Sequence, residues 1–468
     1  MRGLALLFLL AFTASAAPTS RSENFREARS FTIPFSQKRA VSAARNLRKR
    51  QATSTSIQAP LGDVLDTRYV ASLTIAGQKL DVTIDTGSTD TFVFSVQPGG
   101  IPTTVSPADL PPLFNNATAQ GVVDTGLLYN ATYGSPGAFT TTLGDVQLAS
   151  ATLTGSTMSV ANLTFANIWQ SDSTTGASGL LGLGFPLAGI IYPTVLIDLY
   201  ENNISTTVEQ SQAFFPIVPL LAYQGKISQP LFSLLVNRLG PTQDADTADV
   251  FNATFSNGSL TIGDYPPGYT RTDFTFSPVS IVQLDPTYQA AGFPNSTGLQ
   301  WLAPIEAIFF NGQLLKNTTQ QTDLVADGNN FYCLFDTGNP SMNLPLDVIQ
   351  QIVPTGAWAN NPQNVVIPCD TPFDLVYQFG GKNISLSSVD TLVPSALATD
   401  SLNYGGLAKT DCQFQAQPET PMPDQFGAGT SLTFAFGDPF FRNAAMVFDY
   451  GNIINSAQSP PSIGIAQL

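Results

Sequence analysis

Two aspartates of this chain stand in matching surroundings, Val82-Thr-Ile-Asp85-Thr86-Gly87-Ser88 and Cys333-Leu-Phe-Asp336-Thr337-Gly338-Asn339. Each run leaves an apolar, extended stretch for a glycine turn, a pattern that lifts one carboxylate off the end of a buried strand. Two such carboxylates placed face to face cannot both ionise. They share a proton and so hold an acid and a base side by side. The sequence contains no histidine, which removes Ser-His-Asp and Cys-His catalysis, histidine-ligated zinc and imidazole proton shuttles. Acid–base chemistry must rest on carboxylates, and no metal or cofactor is expected.

The elements that must position these residues follow from an internal repeat. Each Asp-Thr-Gly is followed about a hundred residues later by two apolar residues and a glycine: Leu180-Leu181-Gly182 lies 97 positions after Asp85, counted to the glycine, and Ala435-Phe436-Gly437 lies 101 after Asp336. A third Asp-Thr-Gly, Asp124-Thr125-Gly126, lacks such a partner and is expected to be an ordinary strand or turn. Short runs rich in Val, Ile, Thr and Phe, such as Tyr69 to Ile75, Leu260 to Gly263 and Met446 to Asp449, predict a mostly β chain. Helical patterns are few, over Thr194 to Tyr200 and Leu346 to Ile352. About 400 residues exceed what one core usually serves, so two similar lobes are expected, with a cleft holding one carboxylate from each.

Over essentially all of residues 62–468 the chain resembles the pepsin-like aspartic proteases. The resemblance is carried by Leu65 to Tyr69 at the first strand, Asp85-Thr-Gly-Ser88 as a catalytic loop, Thr132-Tyr133-Gly134-Ser135 as the flap and Ser178 to Gly184 as the first apolar-apolar-Gly loop. It continues through Pro230 to Ser233 between the lobes, Trp301 to Gly312 ahead of Asp336-Thr337-Gly338, and Phe436 to Arg442 with Val447 to Asp449 at the end. It implies a mostly β, bilobal pepsin-like fold with an N-terminal lobe over 51–238 and a C-terminal lobe over 239–468. It also implies peptide-bond hydrolysis by a water held between Asp85 and Asp336. Thr86 and Thr337 would hydrogen-bond across the lobe boundary, Gly87 and Gly338 would permit the turn, and Ser88 would donate to Asp85. Tyr133 would close over the substrate with Gly134 and Ser135.

The chain departs from the family pattern in three places. Asn339, followed by Pro340, replaces the usual hydroxyl residue, so the donor to Asp336 is expected to be an amide. Phe92 stands where a Trp commonly meets the flap Tyr, and it offers no N–H. Ser178 replaces a frequent Asp. Abundant Phe and Leu point to apolar side chains flanking the scissile bond. A protease-like binding protein without catalysis is the alternative of a different class; retention of both aspartates and Tyr133 weighs against it. An acidic cell-wall glycoprotein leaves the spaced repeats unexplained, and a two-carboxylate glycosidase has no need of paired Asp-Thr-Gly loops.

Residues 1–16 read as a secretory signal peptide, with a basic start, a short apolar core and a small-residue exit. Residues 17–50 form a basic propeptide ending at the dibasic site Lys49-Arg50. Residues 1–50 contain ten Lys/Arg and two Asp/Glu, so the remaining chain keeps nine basic and 32 acidic residues, a charge near −23. Such a body attracts a cationic leader and repels nucleic acid and anionic membranes. The expected partners are protein or peptide substrates and the chain's own propeptide as an intramolecular inhibitor, with no nucleic acid or membrane, for a secreted, extracellular monomer. So few cations leave little to repel once the carboxylates are neutralised, and the chain is expected to stay folded in acid. Nine Asn-X-Ser/Thr sequons, at Asn116, Asn130, Asn162, Asn203, Asn252, Asn257, Asn295, Asn317 and Asn383, fit a glycoprotein of the secretory pathway. Three cysteines allow one disulfide; Cys333 lies in the apolar strand before Asp336, and Cys369 is expected to pair with Cys412.

Overall fold

The runs of β-branched and aromatic residues form strands because such side chains pack well on a half-buried pleated surface. Tyr69–Ile75 and Gln78–Asp85 pair antiparallel across the Ala76-Gly77 turn, with Val70 opposite Thr83 and Ile75 opposite Gln78. The structure, a computed structural model, describes residues 56–63, 69–97, 111–135, 138–153, 159–172, 177–236, 254–317, 331–353, 366–394, 411–419 and 432–468. The expected signal peptide, propeptide and Lys49-Arg50 site lie outside these residues, as do Leu65 to Arg68 and Asn252.

The architecture is mostly β, as expected for the pepsin-like fold. One 13-stranded sheet joins distant parts of the chain. Its middle places Leu231–Leu235 between Ala444–Asp449 and Thr254–Ile262, and Thr254–Ile262 also pairs with Ile57–Asp63. Pairings of such large sequence separation tie the first and last described strands into one framework. Smaller sheets complete the second half, one of five strands containing Phe331–Phe335 and Leu432–Phe436.

The internal repeat becomes a repeated strand arrangement. Gln78–Asp85 runs parallel to Gly179–Gly182, with Asp85 opposite Gly182, and Thr91–Phe94 pairs antiparallel on the far side of that short strand. In the second half Phe331–Phe335 runs parallel to Leu432–Phe436, with Phe335 opposite Phe436, and Met342–Pro345 takes the antiparallel place. Beneath these crossings Trp301 is fully buried and its Nε1–H donates to the Leu183 carbonyl at 2.9 Å, which also accepts the Tyr450 hydroxyl at 2.6 Å. Phe185 packs against both rings, at 4.4 Å from Trp301 and 5.3 Å from Tyr450. Aromatic burial on this scale is worth several kcal/mol per residue and fixes one half against the other.

Two expected helices are present, Leu346–Ile352 with the expected bounds and Ile191–Glu201, which begins three residues earlier than its pattern. The latter accommodates Pro193 because a first-turn proline sacrifices no helical hydrogen bond. Ile217–Tyr223 is a helix that the sequence reading omits; its apolar run buries Ile217 to Leu221 and has no polar face to reveal a 3.6-residue period. Cys369 and Cys412 form a disulfide, and Cys333 is a buried free thiol. Among the described residues no helix is long and apolar enough to cross a membrane.

Candidate active site

The two Asp-Thr-Gly loops meet where the parallel strands end. Thr86 Oγ1 donates to the Phe335 carbonyl at 2.7 Å and accepts the Thr337 N–H at 3.0 Å. Thr337 Oγ1 returns the pair, donating to the Ile84 carbonyl at 2.8 Å and accepting the Thr86 N–H at 3.1 Å. Both threonines are buried. Each hydroxyl therefore donates once and accepts once, and four reciprocal bonds lock the loops at one separation.

This lock sets the carboxylates against each other. Asp85 and Asp336 come close enough that the charge of Asp85 disfavours ionisation of Asp336. Each also lies over the opposite loop's glycine: a Cβ on Gly87 would sit 2.3 Å from the Asp336 carboxyl, and one on Gly338 would sit 2.7 Å from Asp85 Oδ1. Any side chain there would push the carboxylates apart.

The surroundings of the two acids differ. Asp85 is nearly buried and receives the Gly87 N–H at 2.8 Å, the Ser88 N–H at 3.2 Å and the Ser88 hydroxyl at 2.5 Å. Asp336 receives the Gly338 N–H at 2.8 Å. Burial and then the neighbouring Asp85 charge hold the Asp336 carboxyl well above the usual carboxylate range. Three donors thus converge on Asp85 and one on Asp336, and it is the Asp336 carboxyl that burial and its neighbour hold toward the protonated form.

Asn339 corrects one expectation. Its carboxamide oxygen accepts the Ser341 N–H at 3.1 Å and hydroxyl at 3.2 Å, and its Nδ2 donates to Asn343 at 3.3 Å. The amide closes a turn over Pro340 and is not directed at Asp336, because an Asx side chain readily satisfies the backbone two residues on. Asp124 is exposed at a β-bulge, where it accepts only a local N–H, from Gly126 at 2.9 Å. Ser178 is buried and exchanges bonds with the backbone of Asp81, a structural position.

Val123–Ser135 and Ala138–Leu153 form a long antiparallel pair in which Tyr133 lies opposite Thr140, Gly134 opposite Phe139 and Ser135 opposite Ala138. The Tyr133 ring lies 5.6 Å from Phe92, an apolar contact. Burial, then the charges of Asp90 and Asp85, push its phenol well above the ordinary tyrosine value. Its hydroxyl is hydrogen-bonded to that of Tyr129, which donates to Asp90 Oδ2 at 3.3 Å. Neither Tyr129 nor Asp90 belongs to a motif visible in the sequence. Spacing held the clue: four residues apart on a strand, Tyr129 and Tyr133 share a face.

Among the described residues no cluster of three or more His, Cys, Asp or Glu side chains is arranged to hold a metal. A family model described as "Eukaryotic aspartyl protease" matches residues 68–459. The chain is similar to a probable aspartic-type endopeptidase of Aspergillus fumigatus, at 23% identity over 94% of this chain and 88% of the relative. It is likewise similar to major aspartyl peptidase 1 of Cryptococcus neoformans var. grubii, at 23% identity over 92% and 74% of the two chains. Penicillopepsin-1 of Penicillium janthinellum matches at 24% identity over 82% of this chain and 92% of that protein.

Proposed function

The chain belongs to the eukaryotic aspartyl protease family and is an aspartic-type endopeptidase, and from that premise we propose that it is a secreted enzyme, made as a zymogen, that cuts peptide bonds in acid through Asp85 and Asp336. The observation that carries the reading is the meeting of the two Asp-Thr-Gly loops, locked by the reciprocal threonine bonds with each carboxylate lying over the opposite loop's glycine.

In the proposed reaction a water between the acids attacks the scissile carbonyl carbon. The Asp85 carboxylate takes a proton from the water as the Asp336 carboxyl gives its proton to the carbonyl oxygen. The result is a neutral diol. The proton on Asp85 then passes to the leaving nitrogen, the C–N bond breaks, and a diol hydroxyl returns its proton to Asp336. A new carboxyl and an amine are released, with the pair in its starting state. Thr86 and Thr337 hold the loops, Ser88 supports the charge on Asp85, and Tyr133, Gly134 and Ser135 cover the bound peptide.

Before activation, the cationic segment 17–50 lies on the acidic body; cleavage after Arg50 releases it, and protonation of the body's carboxylates weakens its hold. The substrates are proteins or peptides, and the enzyme acts as a monomer. The test is to incubate acid-treated protein with a random peptide library, with and without a transition-state-mimicking aspartic-protease inhibitor, and to sequence the products. Inhibitor-sensitive internal cuts flanked by apolar residues are expected; inhibitor-insensitive cutting, or none, contradicts the proposal.

A further inference from the structure

The flap tyrosine sits at the end of a buried polar chain that starts on a helix. Ile190 and Ile191 open the helix Ile191–Glu201, and their N–H groups point at Asp90, donating to Oδ2 at 2.7 Å and to Oδ1 at 3.1 Å. Asp90 is 7% exposed. Its carboxyl fits there because residue 189 is glycine; a Cβ at that position would lie 2.4 Å from Oδ1. A carboxyl group at a helix N-terminus is well placed to accept, since the first N–H groups of a helix have no partner within it. Asp90 is thereby fixed as the base on which Tyr129 stands, with the Tyr129 hydroxyl donating to it at 3.3 Å.

Tyr129 is 1% exposed, and its hydroxyl also meets that of Tyr133. A phenol has one proton and two lone pairs, so it can serve both neighbours at once. Phe92, which packs 5.6 Å from the Tyr133 ring, presents only carbon and cannot orient the Tyr133 hydroxyl. Tyr129 is the described polar side chain that can. We propose that Tyr129, seated on Asp90, is the positioning residue that sets the flap tyrosine Tyr133 over the Asp85–Asp336 pair. The inference rests on the reading of that pair as the peptide-cleaving site.

The test is a cycle of Tyr129→Phe, Tyr133→Phe and the double variant, read as kcat/KM on a peptide substrate and as amide exchange along residues 130–135. Tyr→Phe keeps the ring and deletes the bond. Each single variant should lose about tenfold in kcat/KM, the upper range for one neutral hydrogen bond. The double variant should lose no more than either alone, because both changes delete the same bond. Flap amides should exchange faster in all three to the same degree. Parent-like kcat/KM and exchange in Tyr129→Phe, or losses that multiply to about a hundredfold in the double variant, overturn the proposal. Should Tyr129→Phe fold poorly, Tyr133→Phe, which deletes the same bond, decides by itself: flap amides that exchange at the parental rate in that variant overturn the proposal. A parent that cuts no peptide refutes the underlying reading, and the exchange cycle still decides whether Tyr129 holds the flap.

Discussion

At the scale of single residues the site is built from close approaches. Gly87 and Gly338 matter less for backbone freedom than for the space above them, which the opposite carboxylate occupies. Gly87→Ala would put a Cβ 2.3 Å from the Asp336 carboxyl, where real contacts do not occur. The pair must then separate, and a displacement of about 1 Å at reacting groups costs on the order of a hundredfold in rate. We expect kcat/KM to fall about that far while the melting temperature changes little; an Ala variant with parental kcat/KM would contradict the packing described here. Most of this site was legible because tripeptide, context and spacing all repeat. Asn339 was misread because a side chain next to Asp336 in sequence has a nearer customer in its own turn. Asp90 and Tyr129 were missed because their partners, Ile190, Ile191 and Tyr133, belong to other elements or to the same strand face, which a motif does not display.

At the scale of elements, the hundred-residue spacing has a direct physical cause. It measures the excursion between two parallel neighbours, since Asp85 pairs with Gly182 and Asp336 N–H bonds to the Phe436 carbonyl beside Gly437. Glycine ends each second strand because a Cβ on Gly182 or Gly437 would strike the backbone of Thr89 or Asn339. The strand pairs were thus implied by the repeat, whereas the helix Ile217–Tyr223 was hidden by its uniformly apolar sequence. The cross-bonds of Thr86 and Thr337 join these elements. Thr86→Val preserves shape but leaves the Phe335 carbonyl and the Thr337 N–H unpaired in a buried site. At about 1–3 kcal/mol for each orphaned group, unfolding in urea should show a loss on the order of 3 kcal/mol, and Thr337→Val the same. A loss under about 0.5 kcal/mol, the range of an ordinary surface substitution, would show that the loops do not depend on this lock.

At the scale of the whole molecule, buried carboxyls make stability depend on pH in a definite direction. Burial, opposed by the Ile190, Ile191 and Tyr129 hydrogen bonds, raises Asp90 from 3.8 to about 6, and Asp336 is also raised. A carboxyl whose folded-state pKa is raised binds more protons folded than unfolded in the window between the two values, so stability falls as pH rises through it. For Asp90 the effect is fully present below 3.8 and lost above about 6, on the order of 3 kcal/mol. The near −23 charge of residues 51–468 acts in the same direction as the carboxylates ionise. The urea midpoint should therefore be higher near pH 4 than near pH 7, and Asp90→Asn should flatten the slope. A midpoint that rises over that interval would contradict the assignment. The surplus of acidic residues makes an acid-tolerant body an expectation of the sequence; the particular buried carboxyl was not legible there, because burial belongs to the fold.

In the proposed reaction Asp85 and Asp336 act as one acid–base pair, and Asp-Thr-Gly matters only where the fold repeats it. The direct measurement is peptide hydrolysis near pH 4 by Asp85→Asn, Asp336→Asn and Asp124→Asn, each checked for folding by its near-ultraviolet spectrum. The first two variants should each lose essentially all activity, since an amide can neither take the proton from water nor return one to the substrate. Asp124→Asn, changed on an exposed bulge, should cut at the parental rate. Parental hydrolysis by a folded Asp85→Asn or Asp336→Asn enzyme would contradict the account.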